Sequence, residues 1–235
     1  MRRQFFPNRD PRIITGVSGV VGKVPVTSNS EAERIIQCTP LRDGMITVSK
    51  PGRVFYASRH ILRPDQEHAD EDFLWSNHRS YIYWVLNTTL ADVQKIAQDQ
   101  SLHNLPSDQL LRHACDLVGT FHPDVRTLIS QSDPASVLWL DFNSGEAIEW
   151  ETDEQITFLG DGIHGMTPFL GAGALMAIVD GWQLSKALGG VVNDKANLIE
   201  AIRQYDVEMR QRAFPLMQRA LQRMLSLTDR NVAPK

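Results

Sequence analysis

Residues 156–175 leave the chain few local choices: Ile156-Thr157-Phe158-Leu159-Gly160-Asp161-Gly162-Ile163-His164-Gly165-Met166-Thr167-Pro168-Phe169-Leu170-Gly171-Ala172-Gly173-Ala174-Leu175. A four-residue apolar run suited to a buried strand meets a Gly-Asp step. A loop rich in glycine and proline follows, and an apolar helix opens at Gly171-Ala172-Gly173 and is expected to run to about Leu188. The expected order is strand, loop, helix, with a carboxylate at the strand's carboxyl end. In open α/β sheets ligands bind in the crevice outside those ends, so Asp161 and the loop after it form the first candidate binding site.

The rest of the chain has room to build around that segment. Its 235 residues can bury the core of one large domain or two small ones, and 42% hydrophobic with 22% charged residues is an ordinary globular composition. A net charge of -4 gives no basic footprint for nucleic acid or an anionic membrane surface. The longest apolar or glycine run, residues 169–179, is about half of the ~20 residues a membrane span needs, and Asp180 closes it. The first ten residues are basic but lack the apolar core of a secretory signal. Cys38 and Cys115 sit in no Cys-x-x-Cys arrangement, so neither a disulfide framework nor a zinc site is expected, and an intracellular, cytoplasmic setting is the default.

Residues 12–88 read as a mostly antiparallel sheet. Residues 12–27 are rich in β-branched side chains and broken by Gly16, Gly19 and Gly22, the pattern of a strand with bulges or sharp bends. Ser30 is placed to cap a short helix that opens with Glu31-Ala32-Glu33 and ends before Pro40. Residues 45–49 and 54–58 flank Lys50-Pro51-Gly52-Arg53, where Pro-Gly fits the centre of a type II turn, so a hairpin is expected. Residues 81–86 are the next strand. Tyr81, Tyr83 and Trp84 alternate across it, and packing is preferred over an aromatic substrate pocket. Helices are expected over residues 90–100 and 106–121 and from His122-Pro123-Asp124 onward, then a strand over residues 136–142.

Near the carboxyl end Leu198, Ile202, Tyr205, Met209, Ala213, Leu216, Ala220 and Met224 make one apolar helical stripe, which Pro215 is expected to kink or split. Arg203, Arg210, Arg212, Arg219 and Arg223 read as its solvated faces. His68-Ala69-Asp70-Glu71-Asp72 offers metal-ligand types, but in a charged loop that reads as solvated surface. His164 shows no sequence partner and reads as a plain loop residue, and Asp180 as a helix-surface or packing residue.

Phe158-Leu159-Gly160-Asp161-Gly162-Ile163-His164, Pro168, Gly171-Ala172-Gly173, Ala177 and Asp180, followed by Leu184 and Leu188, resemble the second flavin-contacting motif of the FAD-dependent aromatic hydroxylases, the class A flavoprotein monooxygenases that include salicylate and 4-hydroxybenzoate hydroxylases. Arg2-Arg3-Gln4-Phe5-Phe6-Pro7 with Gly16, Gly22 and Pro25 is similar to the segment after that family's middle motif. Tyr205-Asp206 and Arg210 are similar to its Tyr-Glu…Arg tail. The resemblance implies an α/β (α+β) chain: a mostly antiparallel substrate-domain sheet with inserted helices (12–150), the strand–loop–helix of an FAD/NAD(P)-binding fold (151–192) and a C-terminal helical segment (193–235).

It also implies a site. Asp161 would accept a hydrogen bond from a ribityl hydroxyl of FAD, with Gly160 leaving room, and Pro168 would stiffen the loop beside the reactive edge of the ring. Gly171, Gly173, Ala174 and Leu175 would bring backbone N–H groups to the ring's pyrimidine end, and Arg2 would end the middle motif. NAD(P)H would be the reductant and a small aromatic or similar organic molecule the substrate. No catalytic acid or base and no metal ligand is assigned. Two departures stand out: Leu175 occupies the family's Asn position, and outside that motif, whose Gly160-Asp161-Gly162-Ile163-His164-Gly165 has the spacing, the sequence has no Gly-x-Gly-x-x-Gly to serve as a separate dinucleotide turn. The chain is therefore expected to be the carboxyl-terminal portion of such an enzyme. The alternative is a catalytically inactive remnant acting as a binding or interaction domain, whose exposed apolar surface would favour a homodimer.

Overall fold

The computed structural model of the chain describes residues 6, 11–63, 79–88, 92, 95–96, 102–151, 156–194 and 196–228. Arg2, the run from His68 to Asp72 and most of the helix expected over residues 90–100 lie outside the described residues. The chain gathers into two units, one of Gly16–Asp141 and one of Phe142–Ser226 together with residues up to Thr15.

The first unit is an antiparallel five-stranded sheet backed by helices. Its strands are β2 (Ser18–Pro25), β3 (Met45–Lys50), β4 (Arg53–His60), β5 (Tyr81–Thr88) and β6 (Leu138–Asp141), in the spatial order β3-β4-β5-β2-β6. The β3–β4 hairpin turns at Pro51-Gly52, with Gly52 at the positive φ of 72° that a type II turn requires. Helix α1 (Glu31–Cys38) is capped by Ser30, whose hydroxyl accepts from the Glu33 N–H at 3.1 Å. Helices α2 (Ser107–Leu117) and α3 (Pro123–Ser130) complete the backing layer.

Alternation along the strands sends Val20, Val24, Phe55, Ala57, Ile82, Trp84 and Leu86 into one core with Ile35, Leu110, Ala114, Leu128 and Ile129 from the helices. Trp84 is fully buried there, its indole N–H donating to Ser132 Oγ at 2.8 Å. Gly22 is a packing requirement, because a Cβ at that position would lie 2.7 Å from the Trp84 ring. Lys23 stands opposite Tyr83 in the β2–β5 ladder, its ammonium 4.6 Å from the centre of the Tyr81 ring. Burial raises the pKa of the Tyr81 and Tyr83 phenols and lowers that of Lys23.

The strand expected over residues 12–27 is two strands in two units. Gly16, at φ 66°, lies between them, and β1 (Arg12–Ile13) pairs with β7 (Ser144–Gly145) in the second unit. That unit also holds the one-turn helix α4 (Asp161–His164), the long helix α5 (Gly173–Asp194) and the C-terminal helix α6 (Leu198–Leu227). Its core joins Ile148, Phe158 and Ile163 to Tyr205, Met209, Ala213, Phe214 and Met217, with Phe6 and Trp150 against Phe158.

Three expectations are corrected here. Residues 156–159 form no strand, since a strand needs a ladder and the described ladder of this unit is the short β1–β7 pair. Helix α6 holds this segment instead, with Tyr205 Oη donating to the Phe158 carbonyl at 2.9 Å and Thr157 Oγ1 to Asp206 at 2.6 Å. Burial, then the charges of Asp180 and Asp206, push the Tyr205 phenol above its ordinary pKa. Pro215 does not split α6, which runs on through it, and Met217 rather than Leu216 is the buried member of the stripe between Ala213 and Ala220. Of the five arginines, Arg203, Arg219 and Arg223 are exposed, but Arg210 stacks 4.5 Å over the Trp150 ring and Arg212 reaches a buried carboxylate.

Candidate functional site

The candidate binding residues from Gly160 to Leu175 run from the one-turn α4 through a bent loop into the first turn of α5. Gly160 caps α4 at φ 56° and ψ −144°, a conformation open essentially to glycine alone, and a Cβ there would lie 2.9 Å from that of Ala177. The turn is closed by the Ile163 and His164 N–H groups, each donating to the Gly160 carbonyl at 3.0 Å. Asp161 is the first residue of that turn. Its carboxylate is exposed and makes no hydrogen bond or ion pair among the described residues.

Farther along, Pro168 opens a short turn, Pro168–Leu170, closed by the Gly171 N–H donating to the Pro168 carbonyl at 3.0 Å. Gly171 is left-handed at φ 62°, with nothing within 4 Å of where a side chain would begin. Helix α5 starts two residues later. Met176 N–H bonds to the Ala172 carbonyl at 3.0 Å, so the N–H groups of Gly173, Ala174 and Leu175 lie ahead of the helical ladder. The side chain of Leu175 is 57% exposed. Ile178 and Trp182 continue its apolar stripe along α5 at 70% and 53%.

These features suit a flavin: an uncommitted carboxylate for a polyol hydroxyl, a helix amino terminus for a ring edge that gains negative charge, and open apolar surface for a flat ring. Of the candidate residues, Asp161, Pro168, Gly171, Ala174 and Leu175 are exposed, Gly173 is half-buried and Gly160 is buried, whereas Arg2 lies outside the described residues.

The sequence reading missed what holds this stretch. Asp180 is not a helix-surface residue; its side chain is fully buried. Its Oδ2 accepts from the Gly160 N–H at 3.0 Å and from His164 Nε2, and its Oδ1 accepts from Arg212 Nη2 at 2.9 Å. Burial by itself would raise the Asp180 carboxyl, but the bonds from His164, Gly160 and Arg212 outweigh it and hold the group below the usual carboxylate range. One signal was available: Asp180 is the single charge inside the apolar stretch 169–184, and such a charge is normally paired. Nothing in the sequence names Arg212 as a partner.

No family model matches the chain. An FAD-dependent monooxygenase of Trichoderma harzianum is 26% identical over 180 residues, covering 72% of this chain and 40% of that protein. A dual O-methyltransferase/FAD-dependent monooxygenase of Cercospora beticola is 32% identical over 57% of this chain and 16% of that protein. The salicylate hydroxylase of Pseudomonas putida is 30% identical over 40% of this chain and 22% of its own length. The chain thus spans less than half the length of these relatives.

Among solved structures, a Photorhabdus luminescens protein assigned to the FAD-containing monooxygenases superposes with a TM-score of 0.76 at 23% identity, covering 98% of this chain and 59% of that one. Klebsiella pneumoniae HpxO, solved with FAD and uric acid, gives 0.65 at 18% identity, covering 98% and 49%. The chain is a homologue of the FAD-dependent monooxygenases, salicylate hydroxylase among them, and has their mixed α/β fold over the part it spans.

Proposed function

We propose that this chain supplies the ribityl- and ring-binding part of the FAD site of a monooxygenase, one that inserts an oxygen atom from O2 into an aromatic or similar small organic molecule with NAD(P)H as reductant. The observation that carries the reading is the uncommitted Asp161 carboxylate on a glycine-locked turn, in the same loop that leads into the amino terminus of α5. FAD, when bound, supplies the redox chemistry, and the protein supplies binding and electrostatics. Asp161 accepts a charge-assisted hydrogen bond from a ribityl hydroxyl. The first N–H groups of α5 favour negative charge at the pyrimidine edge of the ring. Pro168 stiffens the loop and Gly171 leaves the approach clear. Leu175 keeps backbone contacts but offers no amide, so this chain grips the ring edge through main chain and apolar surface. By the resemblance, Arg2 belongs to the same site.

The exposed stripe of Leu175, Ile178 and Trp182 suits this reading and the inactive-remnant reading equally. Titration separates them. Purified protein should retain or take up FAD with a changed flavin spectrum, and Asp161→Ala should weaken binding about tenfold, the worth of one charge-assisted hydrogen bond. Colourless protein that leaves added FAD unperturbed overturns the proposal.

A further inference from the structure

Helix α4 is a single turn of four residues, too short to persist on its own, since the first helical turn costs more order than one hydrogen bond returns. Yet it begins at the carboxylate proposed to meet the cofactor. Both ends of the turn lead to one atom: the Gly160 N–H at its start and His164 Nε2 at its end donate to Oδ2 of Asp180. A carboxylate only accepts, so Nε2 carries the proton. The His164 ring is fully buried and its Nδ1 has no partner among the described residues, so the Asp180 bond is what orients it. The second Asp180 oxygen takes Arg212 from α6, which balances the buried charge and ties α5 to α6.

We infer that Asp180 is a positioning residue for the proposed FAD site, one carboxylate oxygen clamping both ends of the turn that presents Asp161. This rests on the flavin reading above. Asp180 is buried and acts through the turn, so its loss should matter to the cofactor only as far as Asp161 does.

The test is a double-mutant cycle on the full chain, with FAD affinity read by flavin fluorescence and folding by circular dichroism. Asp161→Ala and Asp180→Asn should each weaken FAD about tenfold, and the double variant should bind no more weakly than Asp161→Ala, because coupled sites are non-additive. Losses that multiply mark a merely structural role and overturn the inference, as does Asp180→Asn binding like wild type. If Asp180→Asn does not fold, His164→Asn replaces it in the cycle with the same two outcomes. A second readout needs no cofactor. Amide hydrogen exchange at Gly160, Ile163 and His164 should accelerate at least about tenfold more than exchange in the rest of α5 and α6 in the position-180 or position-164 variant. Unchanged exchange at the turn overturns the inference even where wild type fails to bind FAD, whereas that failure alone overturns only the function proposed above.

Discussion

The two units bury different things. In the sheet unit the largest fully buried side chains, Trp84, Phe55, Ile35, Leu41, Ile82, Leu86, Leu128 and Ile129, are apolar apart from the Trp84 indole N–H; its buried carboxylate, Asp92, keeps a 10% exposed side chain paired with a 25% exposed Arg53, and Arg34–Glu31 lies exposed. The second unit, called the elbow unit after the bent loop between α4 and α5, buries the charge of Asp180 with His164 and Asp206 beside the apolar residues of its core. Apolar burial is non-directional; it stabilises a sheet without fixing any one group to a fraction of an ångström. A buried carboxylate with three donors adds little net stability but sets the direction of each donor. The contrast teaches where a scaffold ends and a presenting device begins, and it can be broken by substitution.

The largest effect belongs to the scaffold. Trp84→Ala removes a fully buried indole, leaves Ser132 without that donor and opens a void over Gly22. The expected loss is about 3–5 kcal/mol in urea unfolding. Asp180→Asn comes next, at about 2–3 kcal/mol at neutral pH, below the usual cost of breaking a wholly buried pair because the Arg212 side chain is 24% exposed. The two deficits should part company in acid. The folded Asp180 pKa lies below the unfolded value, so its contribution is complete above the ordinary carboxylate range and is lost as pH falls through the folded pKa. Unfolding followed from pH 7 down to about pH 3 should therefore show the Asp180→Asn deficit shrinking below about pH 4 while that of Trp84→Ala persists. A deficit at Asp180 that ignores pH would mean the carboxylate is not what the fold uses there.

The same contrast decides what could be read in advance. Ser30, the Pro51-Gly52 hairpin, the alternation of Tyr83 and Trp84 and the stripe of α6 are local patterns, set within a few residues by turn chemistry and periodicity. They were legible. The register that places β2 between β5 and β6, and the pairing of β1 with β7 more than 130 residues away, depend on which long-range contacts win, and no short window records that. In the site, Gly160, Asp161 and Gly171 stood out because glycine chemistry is local. The Asp180 clamp did not, since its partners lie 20, 16 and 32 residues away and each looks ordinary alone. Pro215 misled for a related reason: proline disfavours a helix interior, but burial of Ala213, Met217, Ala220 and Met224 on one face outweighs the lost bond.

Within the elbow the comparison narrows to two glycines. Gly160→Ala must hold an alanine at φ 56° and ψ −144° with its Cβ 2.9 Å from Ala177, and should cost about 2–3 kcal/mol. Gly171→Ala meets a milder left-handed conformation with open space around it, and should cost about 1 kcal/mol. Chemical unfolding of the pair measures the difference. Equal losses would show that the Gly160 turn relaxes freely and that Asp180 does not hold it.

The smallest effects should show no contrast at all, and that makes them the control. Ser30 caps α1 in the sheet unit and Asn197 caps α6 in the elbow unit. Each side-chain oxygen accepts the N–H of the third residue on, Glu33 in one case and Glu200 in the other, both at 3.1 Å. An N-cap acts on the orphan donors of its own first turn and takes no part in the core behind it. Ser30→Ala and Asn197→Ala should therefore each cost about 1 kcal/mol, whichever kind of core lies beneath. The measurement is the shift in unfolding midpoint at constant m-value. Should Asn197→Ala cost several times more than Ser30→Ala, the elbow unit would be responding as a whole to the loss of a single exposed bond. Its stability would then be thin everywhere, and the division between an apolar scaffold and a polar presenting device would give way to a simpler one between a stable unit and a marginal one.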